Sequence, residues 1–590
     1  MINYYQEKIS QYDKKIHQRL RTNTYYTIVR GILFLCILFS AYYSFEYLLF
    51  VCVFILCVLL FIVIVILFKK NKDLLNYYRA HKKIYENEIE NILYHRFPHE
   101  NGLEFQDIYH PFANDLDIFG ECSVFHLLNR CRTTSGRNYL AQQLSNLTQK
   151  VDLIYRRQEA IKDLKQEKDF IFHLLALLSL RTTPCLDNEN LFSWICQSNQ
   201  FKVSKSTWWL IHILPTFNFL FLIAAIIHSH LFFAFFLCLL CQGFILNKYE
   251  KKIATVKHNL NVVIDDVNAF NKYAEILKTK HFQSSLLQQI QQQMINYHQS
   301  IRWLQKMLSV FDIGDSAIGF FSNTIFFSHI KTAIKLEKWR ETNRTTFPQI
   351  IEYIGELELL FGLTIFHINH PAFIFPEFLS QDSEVMLETK EIGHPLLFEK
   401  QRITNDVAIR KNNVFIITGA NMAGKSTFLR TIGVNVILAH IGAPVCATSF
   451  RCIPLLLFTS MRTIDNLDKG ISYFYAEVLR IREMLDFIQP DRNVLLVVDE
   501  LFRGTNSDDR LKSSLSFLKK LTAYPNIASL IATHDLGITR IEKDYPEKIK
   551  NYCFECINSD DQLTFDYKLK EGITQSCNAY RLLQTMHIVD

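Results

Sequence analysis

Charged residues are scarce in this sequence. Only 21% of its 590 residues are Asp, Glu, Lys or Arg, whereas 49% are hydrophobic, including 48 phenylalanines. Soluble enzymes of this length usually carry more charge, and disordered chains carry far fewer hydrophobic residues. The composition therefore argues against disorder and predicts a protein that lies partly in a membrane. The length also exceeds what one hydrophobic core organises, so we expect several domains.

The sequence has no strong excess of one charge sign. Its formal net charge is +6 at pH 7, whereas strong nucleic-acid binders are often more basic. The overall charge therefore neither supports nor excludes a nucleic-acid ligand.

Paired cysteine motifs of the zinc type are also lacking. Cys553 and Cys556 form a single C-x-x-C, without a second pair at zinc spacing. Others among the 14 cysteines lie in apolar runs: Cys36, Cys52, Cys57, Cys238 and Cys241. We interpret the cysteines as buried free thiols in a reducing compartment.

Two apolar hairpins stand out in the first half of the chain. The arms of the first are Ile28–Tyr43 and Tyr47–Phe68, and those of the second are Trp208–Ile227 and Leu231–Leu246. Each arm has about the 17–25 residues that cross a hydrocarbon core. The alternative is a set of buried helices in a large soluble core. We predict four transmembrane helices.

Basic residues flank both hairpins, and the short loops inside the hairpins contain none. The flanking cations are Arg19, Arg21, Arg30, Lys69, Lys70, Lys72, Lys202, Lys205, Lys248, Lys251 and Lys252. By the positive-inside rule all four flanks are cytoplasmic. A cleaved signal peptide is not expected, because a second span follows and no A-x-A-like site is evident. The expected location is an integral, multi-pass position in a bacterial inner membrane, with the soluble domains in the cytoplasm.

A phosphate-binding loop is predicted at residues 419–426, which read GANMAGKS and fit G-x-x-x-x-G-K-[ST]. The strand-like run 414–418 precedes the loop and the helical run 427–430 follows it, as this chemistry requires. Short apolar runs at 494–498 and 527–532 add two further strands. Their alternation with helices predicts an α/β domain with a mostly parallel sheet.

The residue types in this loop suit a nucleotide. Gly419 and Gly424 let the backbone curl so that its N–H groups face the phosphates, and the following helix N-terminus adds positive potential. Lys425 would reach the β- and γ-phosphates, and Ser426 would be a ligand of Mg²⁺.

Two carboxylates and a histidine follow the other two strands. Asp499 would hold Mg²⁺, and Glu500 is placed to orient or deprotonate the attacking water. His534, which follows Thr533 at a third strand end, would contact the γ-phosphate or the water. The alternative is that these residues are ordinary surface acids and a structural histidine.

Taken together, these motifs resemble the MutS family of mismatch-repair ATPases. The matching segments are 418–427 (TGANMAGKST, similar to TGPNMGGKST), 499–505 (DELFRGT, similar to DE-x-x-RGT), 533–534 (TH), 465–477 (DNLDKGISYFYAE), 393–395 (GHP), 402–405 (RITN) and 567–572 (YKLKEG). Weaker resemblance extends upstream to 117–140, 156–161 and 354–363. The resemblance implies a C-terminal P-loop domain of the ABC type that binds ATP and Mg²⁺.

The resemblance also implies roles for individual residues. The ATP-binding set would be Gly419, Asn421, Met422, Gly424, Lys425, Ser426, Thr427 and Ile403, the last near the adenine. Ser426 and Asp499 would bind Mg²⁺, and Glu500 and His534 would be catalytic. Ser472 would reach the γ-phosphate of the opposite subunit, which implies a homodimer through the ATPase domains.

The sequence departs from the family in four motif positions and in its larger parts. Ala420 replaces the usual Pro, Ala423 a Gly, Tyr473 a Thr and Asp535 an aromatic residue. No segment resembles the family's mismatch-reading domain with its Phe-x-Glu wedge, and the first hairpin occupies that end. The resemblance therefore supports ATP hydrolysis and dimerisation more strongly than mismatch recognition.

The expected fold is mixed, with two transmembrane hairpins, an all-α core and lever, and a C-terminal α/β domain. We divide the chain into an N-terminal segment (1–27), hairpin 1 (28–68), a helical linker (69–109), the first part of a MutS-like helical core (110–205), hairpin 2 (206–247), a helical lever with the rest of the core (248–384) and the ATPase domain (385–590).

Three functions fit this architecture. The first is a membrane-anchored MutS-like ATPase that acts on double-stranded DNA. The second is a membrane ATPase whose dimer closure moves the hairpins and acts on a membrane partner without DNA. The third, a scaffold that binds nucleotide without hydrolysis, is disfavoured by the intact Lys425, Asp499 and Glu500. Membrane lipid and a protein partner of unknown identity complete the expected partners.

Overall fold

A computed structural model of the chain describes residues 1–180, 201–313, 317–420, 422–462, 473–559 and 562–574. Long helices make up its N-terminal part, and two β-sheets lie in its C-terminal part. The predicted mixed fold class, with helices, sheets and four apolar helices, is confirmed at this level.

Within the described residues, four helices are long and apolar enough to cross a membrane. They are α1 (Ile2–Tyr43), α2 (Leu48–Tyr94), α7 (Lys205–Ile227) and α8 (Phe232–Leu277). Helix α1 packs along α2, and α7 packs against α8. Their apolar side chains point outward, with Leu48 83% exposed. Such large apolar surfaces are rare on soluble proteins, whereas a helix with an apolar surface suits hydrocarbon.

The structure does not confirm the predicted burial of the cysteines in these helices. Cys36, Cys52 and Cys241 are exposed, and Cys57 and Cys238 are partly exposed. These helices expose their apolar side chains. Cysteines that lie in apolar runs of the sequence are therefore at least partly exposed as well. Every cysteine whose side chain is described is a free thiol, as predicted.

Three of the apolar helices continue far beyond their apolar runs. Helix α1 passes without interruption through the predicted limit at 27/28, α2 through the limit at 68/69, and α8 through the limit at 247/248. None of these limits carries a proline that would break the helix. The domain limits stay predictions, since the helices join the segments that those limits separate.

The helical core consists of shorter helices before and after the second apolar pair. They are α3 (Val124–Leu128), α4 (Thr134–Ser145), α5 (Val151–Gln166), α6 (Lys168–Leu178), α9 (Ser285–Ile313), α10 (Ala317–Phe326), α11 (Ser328–Asn343) and α12 (Phe347–Asn369). Buried ion pairs hold it together. Glu88 of α2 accepts two hydrogen bonds from Arg130, at 2.5 and 2.8 Å. Arg157 of α5 makes the same kind of contact with Glu356 of α12, at 2.7 Å for each bond.

The larger sheet has six strands in the order β10-β9-β4-β8-β7-β6. These are β4 (Val414–Gly419), β6 (Leu456–Ser460), β7 (Val494–Asp499), β8 (Ile527–Thr533), β9 (Ile549–Ser559) and β10 (Gln562–Glu571). All pairs are parallel except β9 with β10. The predicted strands and the mostly parallel sheet are confirmed.

A smaller sheet and three helices complete this part of the chain. The sheet has the order β1-β5-β2-β3, formed by β1 (Glu377–Phe378), β2 (Val385–Ile392), β3 (Asn405–Arg410) and β5 (Ser449–Cys452). The helices are α13 (Lys425–His440), α14 (Tyr473–Phe487) and α15 (Ser507–Leu521).

The large sheet is covered on both faces. Phe415 and Ile417 of β4 pack into the main core, which is continuous with the helical part. Ile416 points the other way, into a second cluster that contains Met484 of α14 and Leu518 of α15. This alternation follows from the two-residue period of a strand, and it explains why these strands read as unbroken apolar runs.

Arg157 offers a test of how the helical core supports the sheet domain. Its side chain is 0% exposed and also donates to the carbonyl of Ile441, just beyond α13. Arg157→Ala would leave the buried Glu356 carboxylate without its cation, with the Tyr139 hydroxyl still donating to it, so we expect a loss of about 3–5 kcal/mol in unfolding free energy. Thermal unfolding in detergent would measure it.

The matched control is the double variant Arg157→Met with Glu356→Leu, which removes both charges and keeps the volume. Because a buried ion pair is often replaceable by apolar residues, this variant should unfold well above Arg157→Ala. Equal losses in both variants would contradict the role given to the buried charge.

Candidate active site

The three motifs found in the sequence meet at one edge of the large sheet. Strand β8 lies between β4 and β7, and all three are parallel. Thr418 is in register with Thr533, and Asp499 with Ala532. Because parallel strands end on the same side, their following loops gather there, where open α/β sheets place their ligand sites.

The loop after β4 has a backbone that depends on two glycines. Gly419 has φ 153°, and a Cβ there would lie 2.8 Å from the carbonyl oxygen of Phe554. Gly424 has φ 101°, and a Cβ there would lie 2.9 Å from the Tyr567 ring. Helix α13 begins at the next residue, Lys425. The loop therefore delivers the free N–H groups of a helix N-terminus to the sheet edge.

The Lys425 ammonium lies back on this loop. It donates to the carbonyls of Gly419 at 2.6 Å and Ala420 at 3.0 Å. Burial lowers the pKa of Lys425, and the carboxylates of Asp499 and Glu500 oppose this shift. Two neutral carbonyls and two nearby acids hold the cation in place, so an anion entering the loop would find it already positioned.

Ser426 and Asp499 are in direct contact, although 73 residues separate them in the sequence. The Ser426 hydroxyl donates to Oδ2 of Asp499 at 2.5 Å. A hydroxyl and a carboxylate side by side supply the oxygen ligands that Mg²⁺ prefers. The pair fits a magnesium ion bound together with a phosphate, because two protein ligands leave most positions of an octahedron open.

Glu500 is held between a histidine and an arginine. Its Oε1 is 2.5 Å from Nδ1 of His534, and its Oε2 is 2.9 Å from Nε of Arg503. Its backbone has φ 64°, and its N–H donates to the carbonyl of Ala532 at 2.8 Å. A left-handed backbone at a non-glycine residue is uncommon. Here it turns the chain just after β7, so that the carboxylate faces the loop region.

A buried acid of α14, Glu477, faces the turn after Glu500. Burial raises the pKa of Glu477, and the nearby backbone N–H groups of Phe502, Arg503 and Gly504 oppose this shift. A Cβ on Gly504 would lie 2.7 Å from Cβ of Phe474, also on α14. Helix α14 and the turn 502–504 therefore fit closely together.

These groups line one open pocket of about 570 Å³, within the usual size of a small-molecule site. The lining residues are Ala420, Met422, Gly424, Lys425, Ser426, Thr427, Asp499, Glu500, Arg503 and Tyr567. The arrangement can bind an anion at the loop, coordinate a divalent cation and present a carboxylate to a water molecule.

Three of the lining residues were not among the predicted site residues. Ala420 lies inside the predicted loop. Arg503 follows Glu500 by three positions inside the quoted motif 499–505, and that spacing is a signal that could have identified it. Tyr567 lies more than 140 residues beyond the phosphate-binding loop, and no local pattern links the two. Its position depends on Asn405, which donates to the Tyr567 carbonyl at 3.1 Å and accepts from Leu569 N–H at 2.8 Å.

The other predicted site residues have different placements. Ile403 is 42% exposed and precedes Asn405 by two residues, but it does not line the pocket. His534 reaches the site through Glu500. Asn421 and Ser472 lie outside the described residues. The site roles given to these residues stay predictions.

Residues before the sheet domain also contact the site region. Asp117 pairs with Arg430, on the helix that begins at Lys425, at 3.3 Å, and with Arg462 at 2.8 Å. Asp115 accepts from the backbone N–H groups of Met461 and Arg462, each at 3.0 Å. The helical core thus contacts both the phosphate-loop helix and the chain that leads into residues 463–472.

Comparisons with known proteins agree with the site. Residues 415–585 match the family described as MutS domain V. The chain is 33% identical over 224 residues to the DNA mismatch repair protein MutS of Aquifex pyrophilus, which is 37% of this chain and 25% of the relative. It is 30% identical over 192 residues to the MutS of Persephonella marina, 32% of this chain and 22% of the relative.

A third relative is eukaryotic. The DNA mismatch repair protein spellchecker 1 of Drosophila melanogaster is 29% identical over 230 residues, 38% of this chain and 24% of the relative. The chain therefore spans about a quarter of the length of the curated relatives it matches.

Glu477 provides a test of how the turn after β7 is held. Glu477→Ala would remove a buried carboxyl that lies next to the N–H groups of the turn 502–504, so we expect a loss of about 1–3 kcal/mol in unfolding free energy. Glu477→Gln keeps a neutral acceptor of the same shape and should lose less. Thermal unfolding of both variants measures the difference, and an unchanged midpoint for Glu477→Ala would contradict this role.

Proposed function

We propose that the chain is a membrane-anchored MutS-like ATPase that hydrolyses ATP at sites shared between two subunits, coupled to DNA binding, because residues 415–585 match the family described as MutS domain V. The supporting observation is the convergence of Lys425, Ser426, Asp499 and Glu500 at one sheet edge, although they come from separate strand–loop units.

In this proposal the residues divide the work of ATP binding and hydrolysis. The loop N–H groups and Lys425 bind the phosphates. Ser426 and Asp499 hold Mg²⁺, which would neutralise charge on the phosphates. Thr427 and Tyr567 line the same pocket, and Ile403 lies near the adenine.

Glu500 orients the attacking water and accepts its proton. His534 and Arg503 fix the orientation of this carboxylate from its two sides, since each contacts a different oxygen. A carboxylate held in this way costs little reorganisation when the water is activated.

The proposed shared site involves the segment that contains Ser472. This serine would contact the γ-phosphate bound by the partner subunit. Arg462 precedes the segment and Glu477 follows it, and each contacts another part of the site region: Arg462 pairs with Asp117, and Glu477 faces the turn 502–504. Closing the dimer would therefore act on the helical core and on the catalytic turn together.

The proposal that DNA is the ligand rests on the names of the relatives, each of which includes DNA mismatch repair. Because the chain spans only about a quarter of those proteins, their whole activity is not transferred with the ATPase domain. A DNA complex of this kind would weaken as salt rises, because phosphate contacts release counterions.

The first test is ATP hydrolysis by the purified chain in detergent, with and without duplex, mismatched and branched DNA. Glu500→Gln should lower hydrolysis about 10²–10⁴-fold and leave ATP binding intact, because only proton transfer is lost. Lys425→Ala should lose ATP binding itself. Stimulation by DNA that disappears at high salt is the expected signature of a DNA-coupled ATPase.

Asp508→Asn is the matched control, since it neutralises an exposed acid in the first turn of α15. It should leave hydrolysis unchanged. Equal hydrolysis by wild type and Glu500→Gln would exclude the proposed base. Robust hydrolysis that no DNA alters would reject the DNA coupling and leave the ATPase assignment standing.

A second function, coupling to a membrane partner without DNA, is favoured by the continuous helices. Helix α8 runs 46 residues from the second apolar pair into the helical core, and α2 runs 47 residues to the Glu88–Arg130 ion pair. A helix without a break transmits displacement along its axis. Dimer closure would then move the hairpins.

Breaking α8 outside the membrane separates the two functions. Thr255→Pro removes a helix hydrogen bond and clashes with the preceding turn, whereas Thr255→Ala keeps the helix. If the hairpins are coupled to the site, the ATPase rates in lipid nanodiscs and in detergent should differ for Thr255→Ala and become equal for Thr255→Pro. If each variant has the same ATPase rate in nanodiscs and in detergent, the coupling is contradicted.

A further inference from the structure

A second cavity lies beside the second apolar helix pair, far along the chain from the candidate active site. Its volume is about 770 Å³, and α7, α8, α10 and α11 contribute its walls. Phe219, Phe235 and Phe326 form part of an apolar lining, and Lys331 contributes a charge. A deep apolar wall with few polar groups is typical of a site for an apolar ligand.

Helix α10 forms one wall of this cavity and lies beside the second apolar helix pair. The carbonyl of Ile325, near its C-terminal end, accepts from Nε2 of Gln242 at 3.2 Å. Gln242 lies ten residues along α8 from Phe232, which corresponds to about 15 Å. Phe321 and Phe326 of α10 are 62% and 54% exposed. The segment lies within the predicted helical lever (248–384), and it contacts the apolar helices α7 and α8.

The chain reverses directly after α10. Phe327 has φ 54°, and α11 begins at the next residue. Its first turn carries Lys331, which lines the cavity, and Lys335 follows one turn later. Among the described residues no carboxylate pairs with Lys331. A cation beside apolar walls suits a ligand that combines an anionic group with an apolar group.

A buried polar atom also faces this cavity. Asn218 is 2% exposed and lines the cavity, and its amide nitrogen donates to Gln242 at 2.6 Å. Its Oδ1 has no hydrogen-bond partner within the described part of the chain. Buried acceptors of this kind are normally satisfied, so a donor such as a hydroxyl is missing from the site.

We propose that this cavity binds one anionic phospholipid, with its phosphate at Lys331 and an acyl chain along the three phenylalanines. The walls from His212 to Asn218 lie about 10–20 Å along α7 from Lys205, on the side of the hairpin where basic residues gather. Basic pockets between transmembrane helices on that side are suited to anionic headgroups. Phosphatidylglycerol fits best, because its headgroup adds hydroxyl donors for an acceptor such as Asn218.

The inference rests on the membrane placement in the proposed function and not on ATP hydrolysis. Alkaline extraction of membranes tests that placement first. Release of the chain by alkali would reject the membrane placement and this site with it, while the ATPase measurements would be unaffected.

The direct test is lipid retention by the full chain in detergent, measured by native mass spectrometry. The lipids are phosphatidylglycerol and phosphatidylcholine with the same acyl chains, and inorganic phosphate serves as a competitor. We expect one phosphatidylglycerol per chain, bound in preference to phosphatidylcholine. Lys331→Gln should weaken it about fivefold, as expected for one basic residue at a lipid surface.

Lys335→Gln is the matched control, because it removes the same charge from an exposed position on the same helix. It should leave retention near the wild-type value. Asn218→Leu tests the polar atom and should narrow the preference for phosphatidylglycerol over phosphatidic acid, which lacks the glycerol hydroxyls. ATP binding reports whether each variant is folded.

Three outcomes would overturn the site. Equal retention of phosphatidylglycerol and phosphatidylcholine would show that the site does not select an anionic headgroup. Equal effects of Lys331→Gln and Lys335→Gln would indicate general surface charge. Displacement of the lipid by inorganic phosphate at similar concentrations would assign the site to a free anion.

Discussion

The hydrogen bond between Ser426 and Asp499 is the contact on which the site depends. It joins the first turn of α13 to the end of β7, and therefore it exists only if β4, β8 and β7 lie side by side with all three strands pointing the same way. The strands themselves are buried on both faces. Their burial holds the register, and the register brings the loop and the carboxylates within hydrogen-bonding distance.

The same sheet is connected to the apolar helices through buried charges. Arg157 and Glu356 join the helical core beneath the end of α13, and Asp117 reaches Arg430 on that helix. At the other end, α2 and α8 pass from the core into the apolar pairs without a break. Charges buried in this way tolerate little change in geometry. These contacts connect the helix that begins at Lys425 to the apolar helices.

The sequence predicted the helices and strands more accurately than the contacts between them. The strands 414–418, 494–498 and 527–532 were found because unbroken apolar runs ending in Gly, Asp-Glu and Thr-His have few other interpretations. The role of Tyr567 was missed, since it reaches the pocket only through the pairing of β10 with β9 and the side chain of Asn405. The contact of helix α10 with the apolar helices was not predicted, because ten apolar residues are too few to predict a span.

The sequence by itself determined the local structure: a glycine-containing loop between a strand and a helix, two acids after a strand, and four long apolar helices. These depend on neighbouring residues, so short patterns predict them. The tertiary structure decided what distant residues do together. It turned Glu500 towards both His534 and Arg503, brought α14 against the turn 502–504, and set Lys331 beside the apolar walls of α7 and α8. Such contacts join residues far apart in the chain, and their formation depends on the packing of the whole protein rather than on any local pattern.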